Sequence, residues 1–135
     1  TTDVANNTSL ASNQITISTT GTYNIQFSLQ FANTHSQAHN AWIWLRKNGT
    51  DIAGTGSKYD VPSTHGSSDG YLIAVANFFV NATAGDYFEL VFAADPVYIV
   101  SPAQPGVYIE AYAAQTTPFA MPSIPGTILT VTQVA

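Results

Sequence analysis

Gly21-Thr-Tyr-Asn-Ile-Gln-Phe-Ser-Leu-Gln-Phe31 alternates apolar and polar side chains along its length. In a β-strand, a period of two places all the apolar residues on one face and the polar residues on the other. The apolar set is Tyr23, Ile25, Phe27, Leu29 and Phe31. This stretch therefore predicts a strand that is buried on one face and hydrated on the other.

Further strand patterns lie on both sides of this stretch, and no segment has a helical period. Asn48-Gly49 separates the strand-like runs 41–47 and 50–57, and this dipeptide favours a two-residue hairpin turn. Other predicted strands are residues 15–17, 71–80, 87–93, 97–100, 108–113 and 128–134, and the predicted loops are 59–70, 101–106 and 117–126. Eight to ten short strands of even spacing predict an all-β sandwich, jelly roll or barrel.

The composition excludes several classes of protein. The chain has 135 residues, three Lys or Arg, eight Asp or Glu and no cysteine. Three basic residues are too few to neutralise a nucleic-acid backbone. The absence of cysteine excludes disulfides and thiolate sites, and no apolar run reaches the length of a membrane helix. We therefore expect neither nucleic acid nor membrane as a partner.

Two predicted strands are apolar on both faces. In residues 41–47, Trp42 and Trp44 lie on one face of the predicted strand, and the apolar residues 43 and 45 lie on the other. In residues 71–80, Ile73, Val75 and Phe79 lie on one face, and the opposite face is also apolar. A sandwich strand normally hydrates its outer face, so something should cover these side chains. The proline-rich residues 117–126 are one candidate cover. We favour the alternative, a symmetric subunit interface formed by these five residues.

Three segments together resemble a known family. They are Gly21-Thr-Tyr-Asn-Ile-Gln-Phe27, Lys47-Asn48-Gly49 and Ala84-Gly85-Asp86-Tyr87-Phe-Glu-Leu90. Their order and spacing are similar to the jelly-roll domain of complement globular heads and tumour necrosis factor relatives. The closest likeness is to the branch carried by tailed bacteriophages, because the end of the chain, Ile128 to Val134, lacks the aromatic Phe-Gly-Phe-type final strand of the cellular members.

The resemblance implies a jelly-roll sandwich of about ten antiparallel strands that forms a homotrimer. It would span residues 13–135 as one domain, after an extended N-terminal segment or anchor at residues 1–12. It implies a non-enzymatic virion protein without cofactors, at the tip of a tail or head fibre, in contact with other virion proteins and a host-surface glycan or protein. The alternatives are a capsid decoration protein and, less favoured, a lectin or glycan-active enzyme.

Loops on a rigid scaffold are the usual place for recognition. The candidate host-binding residues are therefore those in or beside the predicted loops: Tyr59, Asp60, His65, Asp69, Tyr98, Gln104 and Tyr108. The predicted loop 59–70, which holds Asp60, His65 and Asp69, suggests calcium binding or a Ser-His-Asp triad only weakly. It lacks the closely spaced acidic residues of a calcium loop and the nucleophile elbow of a hydrolase.

His35 and His39 have the spacing of two metal ligands on a helix, but they stand in a predicted strand connection without a third ligand nearby. We expect a solvated loop there, with an ion on a trimer axis as the less favoured alternative. Asp86, Glu89 and Glu110 are the carboxylates considered for glycoside hydrolysis, and no acid and base pair stands out among them. The sequence predicts no catalytic residue and no metal site.

Overall fold

The computed structural model describes residues 8–97 and 104–135, which form two antiparallel β-sheets with a shared apolar core. The strands are β1 (Thr8–Ala11), β2 (Gln14–Ile17), β3 (Gly21–Asn33), β4 (His39–Lys47), β5 (Thr50–Asp51), β6 (Ser57–Val61), β7 (Gly70–Ala82), β8 (Tyr87–Ala94), β9 (Pro96–Val97), β10 (Gln104–Pro105), β11 (Tyr108–Ile109) and β12 (Thr127–Gln133).

The larger sheet has the order β1-β2-β8-β4-β5, and β6 also pairs with β4. The smaller sheet is centred on β3, with β7 along one edge and β11 and β12 along the other. Within the described residues the two sheets contain six and four strands, and β9 and β10 form a separate ribbon. The chain crosses between the two sheets from β2 to β3, from β3 to β4, from β6 to β7 and from β7 to β8. The predicted all-β sandwich of about ten antiparallel strands is confirmed.

The core lies between the inner faces of β3 and β4. The five apolar side chains of the β3 pattern are all buried, as its alternation predicts, and they meet Ile43 and Leu45 from β4. The ring of Phe31 lies 5.7 Å from that of Phe92 on β8. Each large apolar side chain that is fully buried stabilises the fold by about 1.5–3 kcal/mol. Hydrophobic burial across the two sheets therefore holds the sandwich together.

A buried amide side chain anchors the connection that leaves β3. Asn33 is fully buried, and its Nδ2 donates to the carbonyls of Gln37 at 2.8 Å, Pro62 at 3.0 Å and Val61 at 3.3 Å. Its Oδ1 accepts the backbone N–H of His35 at 2.8 Å. These bonds tie residues 34–38 to the end of β6, so the two sheets are joined by a polar contact as well as by the core.

The predicted Asn-Gly hairpin is present between β4 and β5. Asn48 and Gly49 both have positive φ, 50° and 78°, as a type I′ turn requires. Asp86 holds this turn against the start of β8, because its carboxylate accepts bonds from Asn48 Nδ2 at 2.7 Å and from Lys47 Nζ at 2.7 Å. The bond from Lys47, with further bonds from the Thr83 N–H and Asn48, lowers the pKa of Asp86 to about 2.

Three predicted elements differ most from the structure. Residues 50–57 are not one strand, because Thr55 turns inward and its Oγ1 bonds the Leu45 N–H at 3.1 Å and the Ile52 carbonyl at 2.8 Å. The predicted loop 59–70 begins later, because β6 continues to Val61. The predicted strand 108–113 ends at Ile109, after which the chain leaves the sheet and is held by isolated bridges.

Part of the expected N-terminal segment belongs to the larger sheet. β1 pairs with β2 through a tight turn at Ser12 and Asn13, which both have positive φ. Residues 1–7 lie outside the described residues, as do residues 98–100 of the predicted strand 97–100.

Candidate functional site

The outer face of β7 carries an exposed apolar stripe. Ile73, Val75 and Phe79 are 64%, 61% and 67% exposed, and we call these three side chains the β7 stripe. Residues 117–126 therefore do not cover the stripe, which excludes one of the two covers considered from the sequence. The exposed side chain of Asn77 lies between Val75 and Phe79 on the same face, so the stripe is apolar with one polar interruption. A group of exposed apolar side chains on one sheet face marks an interaction surface.

A shallow groove of about 420 Å³ adjoins the stripe where β7, β3 and β12 lie side by side. Val75 and Ile128 flank Ser28 on its two sides, because both pair with it in the sheet. Ile128 is itself exposed. The apolar surface thus has a second part on β12, which polar β3 side chains separate from the β7 stripe.

The outer face of the larger sheet carries a second groove, of about 590 Å³. We call it the tryptophan groove, and its walls are Trp42 and Trp44 from β4, Asp51 from β5, and Lys58 from β6. Trp44 Nε1 donates to Asp51 Oδ1 at 2.8 Å, and Lys58 Nζ lies 5.8 Å from the centre of the Trp42 ring. Trp44 is thus held by a hydrogen bond to a carboxylate, and Trp42 has a charged neighbour beside its ring.

The charge on Asp51 is stabilised where it meets the groove. Arg46 Nε also binds Asp51 Oδ1, at 2.8 Å. The hydrogen bonds from Trp44 and Arg46 lower the pKa of Asp51. The carboxylate is therefore ionised at neutral pH and is available as a hydrogen-bond acceptor.

The structure does not bring the five predicted interface residues together. The β7 stripe lies on the outer face of the smaller sheet, whereas Trp42 and Trp44 lie on the outer face of the larger sheet. The core of the sandwich separates the two groups. They are two surfaces, and one compact patch cannot contain both.

Two of the predicted host-binding residues meet in a tyrosine and carboxylate cluster. The Tyr108 hydroxyl donates to Asp69 Oδ2 at 3.3 Å. Nearby, the Tyr112 hydroxyl donates to Glu110 at 2.5 Å and lies 2.8 Å from the Tyr71 hydroxyl. The polar groups of this cluster satisfy one another, so it anchors the chain after β11 to the start of β7.

Burial and the neighbouring carboxylates set the protonation of this cluster. Burial, followed by the charges of Glu110 and Asp69, raises the pKa of Tyr108 to about 12. Burial also raises the pKa of Tyr112 well above its usual range, and its hydrogen bond to Glu110 adds to this effect. Both phenols are therefore neutral and donate protons in their hydrogen bonds.

The other predicted host-binding residues are dispersed. Tyr59 is not in a loop but in β6, where its ring packs 6.4 Å from that of Phe31 and its hydroxyl donates to the Val75 carbonyl at 3.1 Å. Asp60 is exposed in the same strand, and His65 is exposed in the following loop. Gln104 pairs through its backbone with Val97. Tyr98 lies outside the described residues.

The two histidines of the predicted strand connection lie side by side. The ring centres of His35 and His39 are 5.3 Å apart in an edge-on arrangement. His39 also packs closely on Gly106, where a Cβ would come within 2.6 Å of its ring. Among the residues that the structure describes, no group of three His, Cys, Asp or Glu side chains is placed to hold a metal ion.

The charged groups of the tryptophan groove were not predicted from the sequence. The Asn48-Gly49 turn was a signal for Asp51, because a two-residue hairpin pairs Arg46 with Asp51. Lys58 had no such signal, since it approaches Trp42 only through the pairing of β4 with β6.

No helix in the described part of the chain is long and apolar enough to cross a membrane. No protein-family model matches the chain, and no curated protein sequence is significantly similar to it.

Proposed function

We propose that this protein is a structural module of a bacteriophage virion: a homotrimeric jelly roll at the tip of a tail or head fibre that binds a glycan or protein of the host surface. The observation that carries the proposal is the β7 stripe. It is a surface suited to contact with other copies of the chain, on a scaffold whose other faces remain available for binding.

Self-association accounts for the stripe because it removes apolar surface from water. Three copies arranged about an axis would place Ile73, Val75 and Phe79 of each subunit against their equivalents. Closed cyclic symmetry is the usual arrangement of soluble homo-oligomers. The low content of charged residues, 8% against about 25% in ordinary domains, agrees with a chain that is part of an assembly.

The phage-type segments described from the sequence support a virion over a cytokine or complement role. In the fold, Gly21 to Phe27 lies in β3 beside β7, and the phage-type ending forms β12 on the other side of β3. With the stripe on the trimer axis, the larger sheet would face outward. That sheet would then be the surface that contacts the host.

Two measurements test the proposal. Light scattering of the purified protein should give a mass three times that of the subunit, and the fluorescently labelled protein should adsorb to the surface of host bacteria. A mass of one subunit at all concentrations would contradict the trimer. Stoichiometric binding to capsids without any adsorption to cells would replace the fibre role by capsid decoration.

A further inference from the structure

We infer that the tryptophan groove is a carbohydrate-binding site that takes a chain of hexopyranose units. This inference rests on the proposed host-surface role and specifies its ligand class and its location. The groove lies on the sheet opposite the β7 stripe, so a glycan in it would not compete with the trimer contact.

The aromatic side chains of the groove suit the apolar faces of sugar rings. Trp42 and Trp44 are two residues apart on β4, so they share one face and are displaced by about 6.8 Å along the strand. Both are half-buried, and both line the groove. Indole rings are large, rigid and amphipathic, and they contact a ligand with little loss of conformational entropy.

The Trp44 indole is oriented before any ligand arrives, and the Trp42 indole has a cation close to its ring. Asp51 accepts the Trp44 Nε1–H, and the Lys58 ammonium lies over the Trp42 ring. Arg46 in turn holds the Asp51 carboxylate by a 2.8 Å bond. Preorganisation of this kind raises affinity because fewer side chains must be ordered on binding.

The rim of the groove offers a hydrogen-bond acceptor and a donor for sugar hydroxyls. The Asp51 side chain is 57% exposed, and its Oδ2 has no partner within the described part of the chain, since its two hydrogen bonds go to Oδ1. Lys58 is exposed and provides the donor. A pyranose presents apolar C–H groups on its faces and hydroxyls at its edges, and this groove has the matching arrangement.

Small residues form part of the remaining walls of the groove, so they leave space in it. Ala53, Gly56 and Ala93 contribute little side-chain bulk. The volume of about 590 Å³ is within the range of about 300–1,000 Å³ that is typical of small-ligand sites.

A peptide strand or a second copy of the chain fits this groove less well. β4 forms the floor and already pairs with β8 on one side and with β5 and β6 on the other, so it has no free edge for an added strand. The charges of Asp51 and Lys58 on the rim would also be costly to bury in an apolar subunit contact. A ligand that binds through ring faces and hydroxyls meets neither obstacle.

The test is calorimetric titration of the purified protein with cellohexaose, maltohexaose and chitohexaose, together with the change in tryptophan fluorescence. We expect at least one of the three to bind with one site per subunit. Trp44→Ala should weaken that binding by about tenfold or more, because the stacking surface is lost. Asp51→Asn keeps both tryptophans and an amide oxygen that can accept the Trp44 Nε1–H, but it removes the carboxylate and should also weaken binding, which covers the case in which Trp44→Ala does not fold.

Phe79→Ser, on the other sheet, is the control and should leave the affinity per subunit unchanged. Absence of binding by all three oligosaccharides at millimolar concentration overturns the inference. It is also overturned if Trp42→Ala and Trp44→Ala dissociate the oligomer, because the groove would then be a subunit contact. A monomeric protein that binds a glycan would contradict the proposed trimer and leave this inference standing.

Discussion

Phe79→Ser removes the most exposed side chain of the β7 stripe. Full burial of a phenylalanine contributes about 1.5–3 kcal/mol, and 67% of Phe79 is still exposed in the single subunit. Burying this remainder in a trimer therefore contributes about 1–2 kcal/mol per subunit, or about 3–6 kcal/mol for three copies. At 1.4 kcal/mol for each factor of ten, the association constant should fall by about 10² to 10⁴.

Sedimentation velocity over a range of protein concentrations measures this effect. Because the trimer forms with the third power of the subunit concentration, the midpoint should rise by the square root of that change, about 10- to 100-fold. Leu10→Ser is the matched control, since Leu10 is 49% exposed but lies on β1 of the other sheet. Equal midpoints for the wild type and Phe79→Ser would refute the assignment of the stripe to the interface.

Three further predictions concern the stability of the subunit. Asn33→Ala should destabilise it by about 1–3 kcal/mol in urea unfolding, because buried carbonyls lose their donor, and an unchanged midpoint would contradict this role. Gly70→Ala should lower the free energy of unfolding by about 1–3 kcal/mol, because its Cβ would lie 1.9 Å from the Pro62 carbonyl oxygen. Gly56→Ala, whose Cβ would have open space around it, is the control and should lower the melting temperature little or not at all. The lowered pKa of Asp86 stabilises the fold above the ordinary value of 3.8, and this contribution is lost as the pH falls from there through about 2. Asp86→Asn should therefore melt below the wild type at pH 7, and the difference should shrink as the pH falls from about 4 to 2 and disappear below about 2. A constant difference across that range would disprove the linkage.

The local patterns of the sequence predicted most of the strands. The alternation identified five of the seven buried side chains of β3, all except Ala32 and Asn33 at its end, and Asn48-Gly49 identified the hairpin that follows β4. The errors arose where a single contact outweighed local preference. Thr55 bonds the β4 backbone across the hairpin and ends the strand after Asp51, and no periodicity records such a bond.

The candidate sites depended more on long-range pairing. The sequence grouped Trp42 with Phe79 because both lie on strands that are apolar on two faces, but the strands belong to different sheets. The tyrosine and carboxylate cluster was also beyond prediction, because Asp69 and Tyr108 are 39 residues apart and meet where β11 runs beside β3.

The amino-acid order alone was enough to establish the all-β class, the alternating core of β3 and the excess of apolar side chains on two strands. Side-chain period and turn chemistry act between near neighbours, so they can be read without coordinates. The order of strands in the two sheets, by contrast, comes from the packing of the whole core. That packing put the β7 stripe on one outer face, placed the tryptophans on the other, and set Lys58 and Asp51 beside them.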